Sequence, residues 1–340
     1  MQRRRRKRRK YLIGVQKKHL ILRWIICSVV VAIVTGEILA RFYLGLGTPP
    51  LSIKHLTIEY MYKPNQDVYR FGNHFVVNQY GMRSAPFTRN KQKGEFRIMV
   101  FGDSVVNGGN LTDRSDLATS LIQKSLANSG YKQPIVGNIS AGSWGPGNWL
   151  AYTKEYGFFD ADIIILVLSS HDYADNPTFE PLNPNTHPTE QPVSALLEGI
   201  ERYLPRYLPQ SSSTPIVSEN DHPSDSVDKA GGARGIADLK NFLMLAKQQS
   251  PIVLVFQHFE YLEIEKHTTS IGYQRIKEAC EQLNISPISL EPYFRMSLES
   301  GVNPYRDNIH PNQIGQQIIS TAIIVNLPSS TFKKIPLPLR

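Results

Sequence analysis

Two short runs with almost no polar side chain, Asp162–Leu168 (DIIILVL) and Ile252–Phe256 (IVLVF), constrain this chain more than any other feature. Each is too short for an all-round apolar helix. Both have the length of strands buried on two faces. Around them the pattern alternates. Phe96–Phe101 and Pro134–Ile139 read as strands, and Ile285–Leu290 as a weak one, demoted by Pro287. Asp116–Ala127, Trp149–Phe158, residues 234–248, Tyr273–Leu283 and Gln313–Val325 carry helical spacing. Strands alternating with helices predict an α/β domain whose mostly parallel sheet is covered on both faces. Ahead of it, residues 47–95 read as a β-rich lead-in, with a hairpin turn at Phe71-Gly72-Asn73-His74 between Val68–Arg70 and Phe75–Asn78. Residues 174–232 are rich in Pro, Ser, Thr and Asp and read as an insertion or lid, disordered in part. Residues 327–340 form a C-terminal tail.

The charge is distributed unevenly. The 340 residues hold 38 bases and 29 acids, a formal +9, but residues 1–23 carry 11 of the bases and no acid. The rest of the chain is close to neutral. Basicity confined to a tail ahead of an apolar run is a topology signal rather than a nucleic-acid arm. There is no zinc-finger spacing and no basic-aromatic stripe in the body, so no nucleic-acid partner is expected. Residues 24–46 are predicted to be a membrane anchor. Trp24–Gly36 is uncharged, and apolar character resumes after Glu37 through Leu46. As one helix this stretch would be about 35 Å long, enough to cross the hydrocarbon. Glu37 and Arg41 stand four apart, acid first, the favourable order for a helical ion pair. A cleaved signal peptide is the rival reading; no small-x-small site follows the run cleanly. The positive-inside rule puts the basic cluster Arg3–Lys10 in the cytoplasm and the remainder outside it. The two cysteines, Cys27 and Cys280, fall in different parts of the chain, and no bridge is expected.

Two positions carry chemistry. Strand Phe96–Phe101 runs into Gly102-Asp103-Ser104, with Gly108 four residues on. A serine just past the first parallel strand stands at the carboxyl edge of the sheet, where open α/β folds place ligands. An ordinary strand-to-helix turn with a capping serine is the competing reading. Near the other end stands Asp307-Asn308-Ile309-His310-Pro311. An acid three residues before a histidine can bond one imidazole nitrogen and leave the other for a nucleophile. The loop precedes the last helix, which returns it to the same sheet edge. His258 is expected in the core or on the surface rather than in the site. The histidines show no metal-ligand spacing, and there is no phosphate loop or dinucleotide fingerprint, so no cofactor is expected.

With both blocks in this order, the sequence over residues 96–326 resembles the SGNH (GDSL-like) hydrolase family. The first block matches as Gly102-Asp103-Ser104 with Gly108, the last as Asp307, His310 and Pro311. The resemblance implies a flavodoxin-like three-layer α/β/α fold, Ser104 as nucleophile, His310 as general base and then acid, and Asp307 as the group orienting His310. The two middle blocks depart from the pattern. The glycine whose N–H helps form the oxyanion hole corresponds to Gly142 by residue type and to Ser143 by spacing from Asn138. The asparagine of the third block is replaced by His171, within Ser169-Ser170-His171-Asp172. The implied oxyanion hole is therefore the N–H of Ser104, that of Gly142 or Ser143, and the ring of His171, since an imidazole can donate one N–H.

The resemblance and the anchor together imply an extracytoplasmic serine ester hydrolase that removes an acetyl or other small acyl group from a carbohydrate or another small ester. Two alternatives use the same fold. One is an O-acyltransferase in extracellular polysaccharide assembly, with a sugar hydroxyl in place of water. The other is an inactive glycan-binding or assembly protein, which the departures at Ser143 and His171 favour and the intact Ser104, Asp307 and His310 oppose.

Overall fold

The computed structural model describes residues 2–204 and 229–332. The chain divides into two compact units, Met1–Pro49 with Gln191–Gln210, and Pro50–Glu190 with Ser211–Arg340.

The first unit is built on helix α1 (Gln2–Phe42). Its segment Lys17–Phe42 has 26 residues and a mean hydropathy of 2.1, with side chains almost wholly exposed. By length and composition that segment suffices to cross a bilayer. The expected single helix over residues 24–46 is corrected at its end. The helix stops at Phe42, and Tyr43–Gly47 fold back on its last turn, with Leu46 N–H donating to the Ala40 carbonyl. Gly45 and Gly47 have positive φ, which is what the reversal requires.

The second unit opens with two antiparallel hairpins: β1 (Ser52–His55) with β2 (Glu59–Tyr62), and β3 (Gln66–Arg70) with β4 (Asn73–Val77). The first was not read from the sequence. The second turns on Phe71 and Gly72 alone, because Asn73 and His74 already pair with Arg70 and Tyr69. Then follow β5 (Glu95–Gly102), α2 (Ser104–Asn107), α3 (Ala118–Asn128), β6 (Gln133–Ser140), α4 (Pro146–Tyr156) and β7 (Ile163–Ser169). In the first unit the chain forms the short helix α5 (Ala195–Glu198), which runs on as a π-helical turn to Tyr203. The second unit continues with α6 (Lys229–Gln249), β8 (Val253–His258), α7 (Tyr261–Glu265), α8 (Ile271–Glu281), β9 (Ile288–Ser289), α9 (Glu291–Glu299), α10 (Gln313–Asn326) and α11 (Ser329–Phe332).

Five strands form one sheet in the order β6-β5-β7-β8-β9, every neighbouring pair parallel. This is the doubly wound flavodoxin-like order, with helices on both faces. The strand periodicity of two is visible in the core. Ile98, Val100, Ile163, Ile165 and Val167 pack with α3 and α10 residues on one face. Met99, Phe101, Ile164, Leu166 and Leu168 pack with Trp149, Phe242 and Ile276 on the other. That double burial is why β7 reads as an unbroken apolar run.

Two expected boundaries move. The lead-in is not a separate piece: Tyr60, Met61, Phe87 and Met82 belong to the same core cluster as the sheet. The insertion expected over residues 174–232 ends earlier, since α6 begins at Lys229. Residues 205–228 of that insertion, and 333–340 of the expected tail, lie outside the described residues.

Candidate active site

At the carboxyl end of β5 the chain turns sharply into α2. Gly102 is required there by close approach: a Cβ on it would lie 2.3 Å from Val106 Cγ2 and 2.9 Å from the Val167 carbonyl. Asp103 caps the turn, its Oδ1 accepting from Val105 N–H at 2.8 Å. Gly108, at φ +74°, closes α2 with its N–H on the Ser104 carbonyl. Trp149 Nε1–H donates to the Gly102 carbonyl at 2.9 Å from below. These bonds leave Ser104 partly buried at the sheet edge.

The loop before α10 meets it. His310 Nε2 is 3.0 Å from Ser104 Oγ. His310 Nδ1 is 2.9 and 2.8 Å from the two carboxylate oxygens of Asp307. Asp307 Oδ1 also accepts from the N–H groups of His310 and Ile309, at 2.7 and 2.9 Å. With Nδ1–H donating to Asp307, Nε2 is left to accept the Ser104 hydroxyl proton. Burial pushes the Asp307 carboxyl up, but the His310 ring and these two N–H groups outweigh it and hold the group well below the usual carboxylate range. Asp307 is therefore held in its ionised form beside the His310 ring.

Three residues outside the expected site hold the two loops that carry it. His258 is buried at the end of β8, its Nε2–H donating to the Ile309 carbonyl at 2.9 Å. Burial pushes its imidazole down to about 4, so it is a neutral donor. Its place is the core, as expected, but one bond from the site. Glu260 accepts from Asn308 Nδ2 at 2.7 Å. Arg83, from the lead-in, is fully buried and donates to the carbonyls of Asn107 and Thr112, tying down the loop that follows Ser104. Burial lowers its guanidinium to about 9, against the opposing pull of Tyr62 and Asp113.

The expected oxyanion groups divide. Gly142 and Ser143 lie in the turn after β6, Ser143 at φ +54°, and the Tyr60 hydroxyl fixes the turn by donating to the Gly142 carbonyl. Among the described residues, the N–H groups of Gly142 and Ser143 donate to no other group. His171 is differently engaged. Its Nδ1 is 3.2 Å from Glu260 Oε1, and its Nε2 is 3.5 Å from Asp172 Oδ1 and 3.7 Å from Asp103 Oδ2. Burial pushes this imidazole down, but the carboxylates of Asp172, Asp103 and Glu260 more than offset that, and its pKa stands well above the ordinary value. The acids around His171 favour its charged form, while burial and Asp103 raise the Asp172 carboxyl as well. The His171 ring and the carboxylates of Asp103 and Asp172 also have the spacing of a three-ligand cation site.

Beside Ser143 opens a cleft of about 330 Å³, lined by Glu59, Tyr60, Asp175, Leu182, Asn183 and His187 among others. A separate cavity of about 420 Å³, bordered by His74, Asp113 and Arg114, does not include the serine or its histidine.

No family model matches the chain, and no curated protein matches it significantly. In structure it is similar to an acetylxylan esterase from Geobacillus stearothermophilus, at 13% identity over 68% of this chain and 93% of that one, with a TM-score of 0.41. It is similar to a member of the lipolytic G-D-S-L family from Veillonella parvula, at 12% identity over 68% and 98%, with a TM-score of 0.41. It is also similar to a lipase/acylhydrolase from Enterococcus faecalis, at 12% identity over 72% and 100%, with a TM-score of 0.43.

Proposed function

We propose that the protein is a serine ester hydrolase, anchored in a membrane by α1, whose second unit acts outside the cytoplasm on acyl, chiefly acetyl, esters of a glycan. One observation carries the reading: the hydrogen-bonded chain Ser104 Oγ–His310 Nε2 and His310 Nδ1–Asp307, built from opposite ends of the domain. Nothing in folding alone asks for a serine at the sheet edge, a histidine and an ionised acid in that order.

The chemistry follows from the three roles. His310 takes the Ser104 proton as Oγ attacks the ester carbonyl, and Asp307 stabilises the imidazolium that forms. The oxyanion is received by the N–H of Ser104 and by that of Gly142 or Ser143. His310 then hands its proton to the departing alcohol. Water, activated by the same imidazole, cleaves the acyl-enzyme and restores Ser104. We take His171 out of the oxyanion hole, because both ring nitrogens face carboxylates. The cleft beside Ser143 combines polar groups with Tyr60, Pro181 and Leu182, a mixture that suits the alcohol part of a carbohydrate ester. The export of the catalytic unit rests on the basic cluster Arg3–Lys10 ahead of the apolar helix.

The test is labelling with a serine-directed fluorophosphonate. The intact protein should be labelled and Ser104→Ala should not. An unlabelled intact protein, or equal labelling of both, would overturn the mechanism.

A further inference from the structure

Glu37 follows the uncharged run Trp24–Gly36, and within the anchor itself it has one partner, Arg41. The structure gives it others. Its Oε2 accepts from Ser194 Oγ at 2.7 Å and from Leu196 N–H at 2.9 Å, and its Oε1 from Ala195 N–H at 3.0 Å and Arg41 Nη2 at 2.8 Å. The carboxylate thus receives the first N–H groups of α5, which no helical carbonyl can satisfy. A second acid makes the converse tie. Glu198, buried on α5, accepts from Gly47 N–H at 2.6 Å, just past the end of α1. Glycines let the two segments close. A Cβ on Gly36 would lie 3.3 Å from Leu196 Cδ2, and one on Gly199 3.2 Å from Leu46 Cδ1.

With its polar groups so committed, the segment turns apolar side chains outward. Val193 is 98% exposed, Leu197 47%, Ile200 48% and Leu204 43%. Residues 197, 200 and 204 recur at helical spacing, on one face. Leu39, Phe42 and Tyr43, at the end of the α1 helix on which α5 packs, are exposed as well. An apolar face carried by a segment packed on a membrane-crossing helix has one fitting occupant, the acyl-headgroup boundary of the bilayer.

We propose that residues 193–204 form an interfacial membrane helix, locked by Glu37 and Glu198 to the outer end of α1. The inference rests on the anchor reading. It gives the protein two points of attachment at one leaflet, and it explains an acid in the anchor: Glu37 organises the return of the chain to the surface.

The full chain, with Cys27→Ser and Cys280→Ala, is reconstituted in phosphatidylcholine–phosphatidylglycerol vesicles containing spin-labelled lipids. An environment-sensitive fluorophore is placed singly at Ile200→Cys, Leu197→Cys, Val30→Cys or Lys154→Cys. Residues 197 and 200 should be quenched by shallow spin labels several-fold more than Lys154, an exposed position on α4. Residue 30 should be quenched by deep ones. Glu37→Ala should lower quenching at residue 200 several-fold and leave residue 30 unchanged. Residue 30 quenched while 197 and 200 behave as 154 overturns the interfacial helix and spares the anchor. Residue 30 unquenched as well overturns the anchor, and the helix with it. Unchanged quenching at 200 in Glu37→Ala overturns the role given to Glu37.

Discussion

Ser104, His310 and Asp307 are joined by hydrogen bonds of 2.8 to 3.0 Å, so they should fail together. Ser104→Ala is expected to abolish turnover of a small acyl ester, and His310→Ala nearly so. The double variant should be little worse than either single one, because the residues act as a unit. Steady-state kinetics on the three variants checks this; independent, multiplying losses would contradict it. His171 is expected to behave otherwise. Were it an oxyanion donor, His171→Asn would keep an N–H and most of the activity, while Ala would lose about a hundredfold in kcat. As an imidazolium among carboxylates, both substitutions should remove a buried counter-charge and cost about 3 kcal/mol of stability. Thermal unfolding separates the two: Asn as destabilising as Ala supports the charge role, and a wild-type midpoint in Asn restores the donor role.

At the scale of elements, the lead-in and the turn after β7 decide how the site is held. Arg83 reaches from beyond β4 to the carbonyls of Asn107 and Thr112. Arg83→Met should leave both carbonyls buried without a donor, at about 1–3 kcal/mol each, and lower the unfolding midpoint. A midpoint within error of wild type would show that the loop after Ser104 stands unaided. The turn after β7 sets a pH dependence. Burial, offset in part by His171, raises the Asp175 carboxyl to about 6. A raised acid contributes stability that is full below the unfolded value and lost as pH rises through the folded one. For Asp175 that loss falls between about pH 4 and 6. His171, also raised, continues the decline above its ordinary value. Asp307 has the opposite sign, since its lowered pKa gives stability that is lost only under acid. The second unit should therefore be more stable near pH 5 than near pH 8, and Asp175→Asn should flatten the part of the decline between about pH 4 and 6. Unfolding midpoints across that range test it, and a profile unchanged by Asp175→Asn would place the decline elsewhere.

For the whole molecule, the prediction concerns sidedness and boundaries. A reporter fused after Arg340 that works only outside the cytoplasm should be active, and carbonate washing should leave the protein in the membrane fraction. Activity of a cytoplasm-only reporter at that position would reverse the topology. A chain beginning at Pro50 should fold and label with fluorophosphonate, because the second unit begins there. One beginning at Glu95 should not fold, because it lacks Tyr60, Met61, Met82 and Phe87 from the core and Arg83 from beneath the Ser104 loop.

How much of this was legible in the sequence depended on the range of the interactions. Strand β7 announced itself because burial on both faces removes polar residues from consecutive positions, a local signature. The turn Gly102-Asp103-Ser104 and the pair Asp307 and His310 were readable because close backbone approach and a three-residue hydrogen bond restrict residue type locally. The sequence alone thus determined the α/β class, the apolar helix and the identity of the three side chains that the hydrogen-bonded chain joins. Their meeting was decided by the tertiary fold: parallel pairing of β5 with β7 and of β7 with β8 brings residues 104 and 310 to one sheet edge. The same holds for His171, whose place in the third block suggested a donor, until Asp103 and Glu260, 68 and 89 residues away, closed around its ring. It holds for Glu37, which pairs with Arg41 as its spacing predicts and also caps a helix 158 residues later. Such partners leave no periodic trace in the chain, because a single long-range contact fixes the identity of two residues and nothing between them.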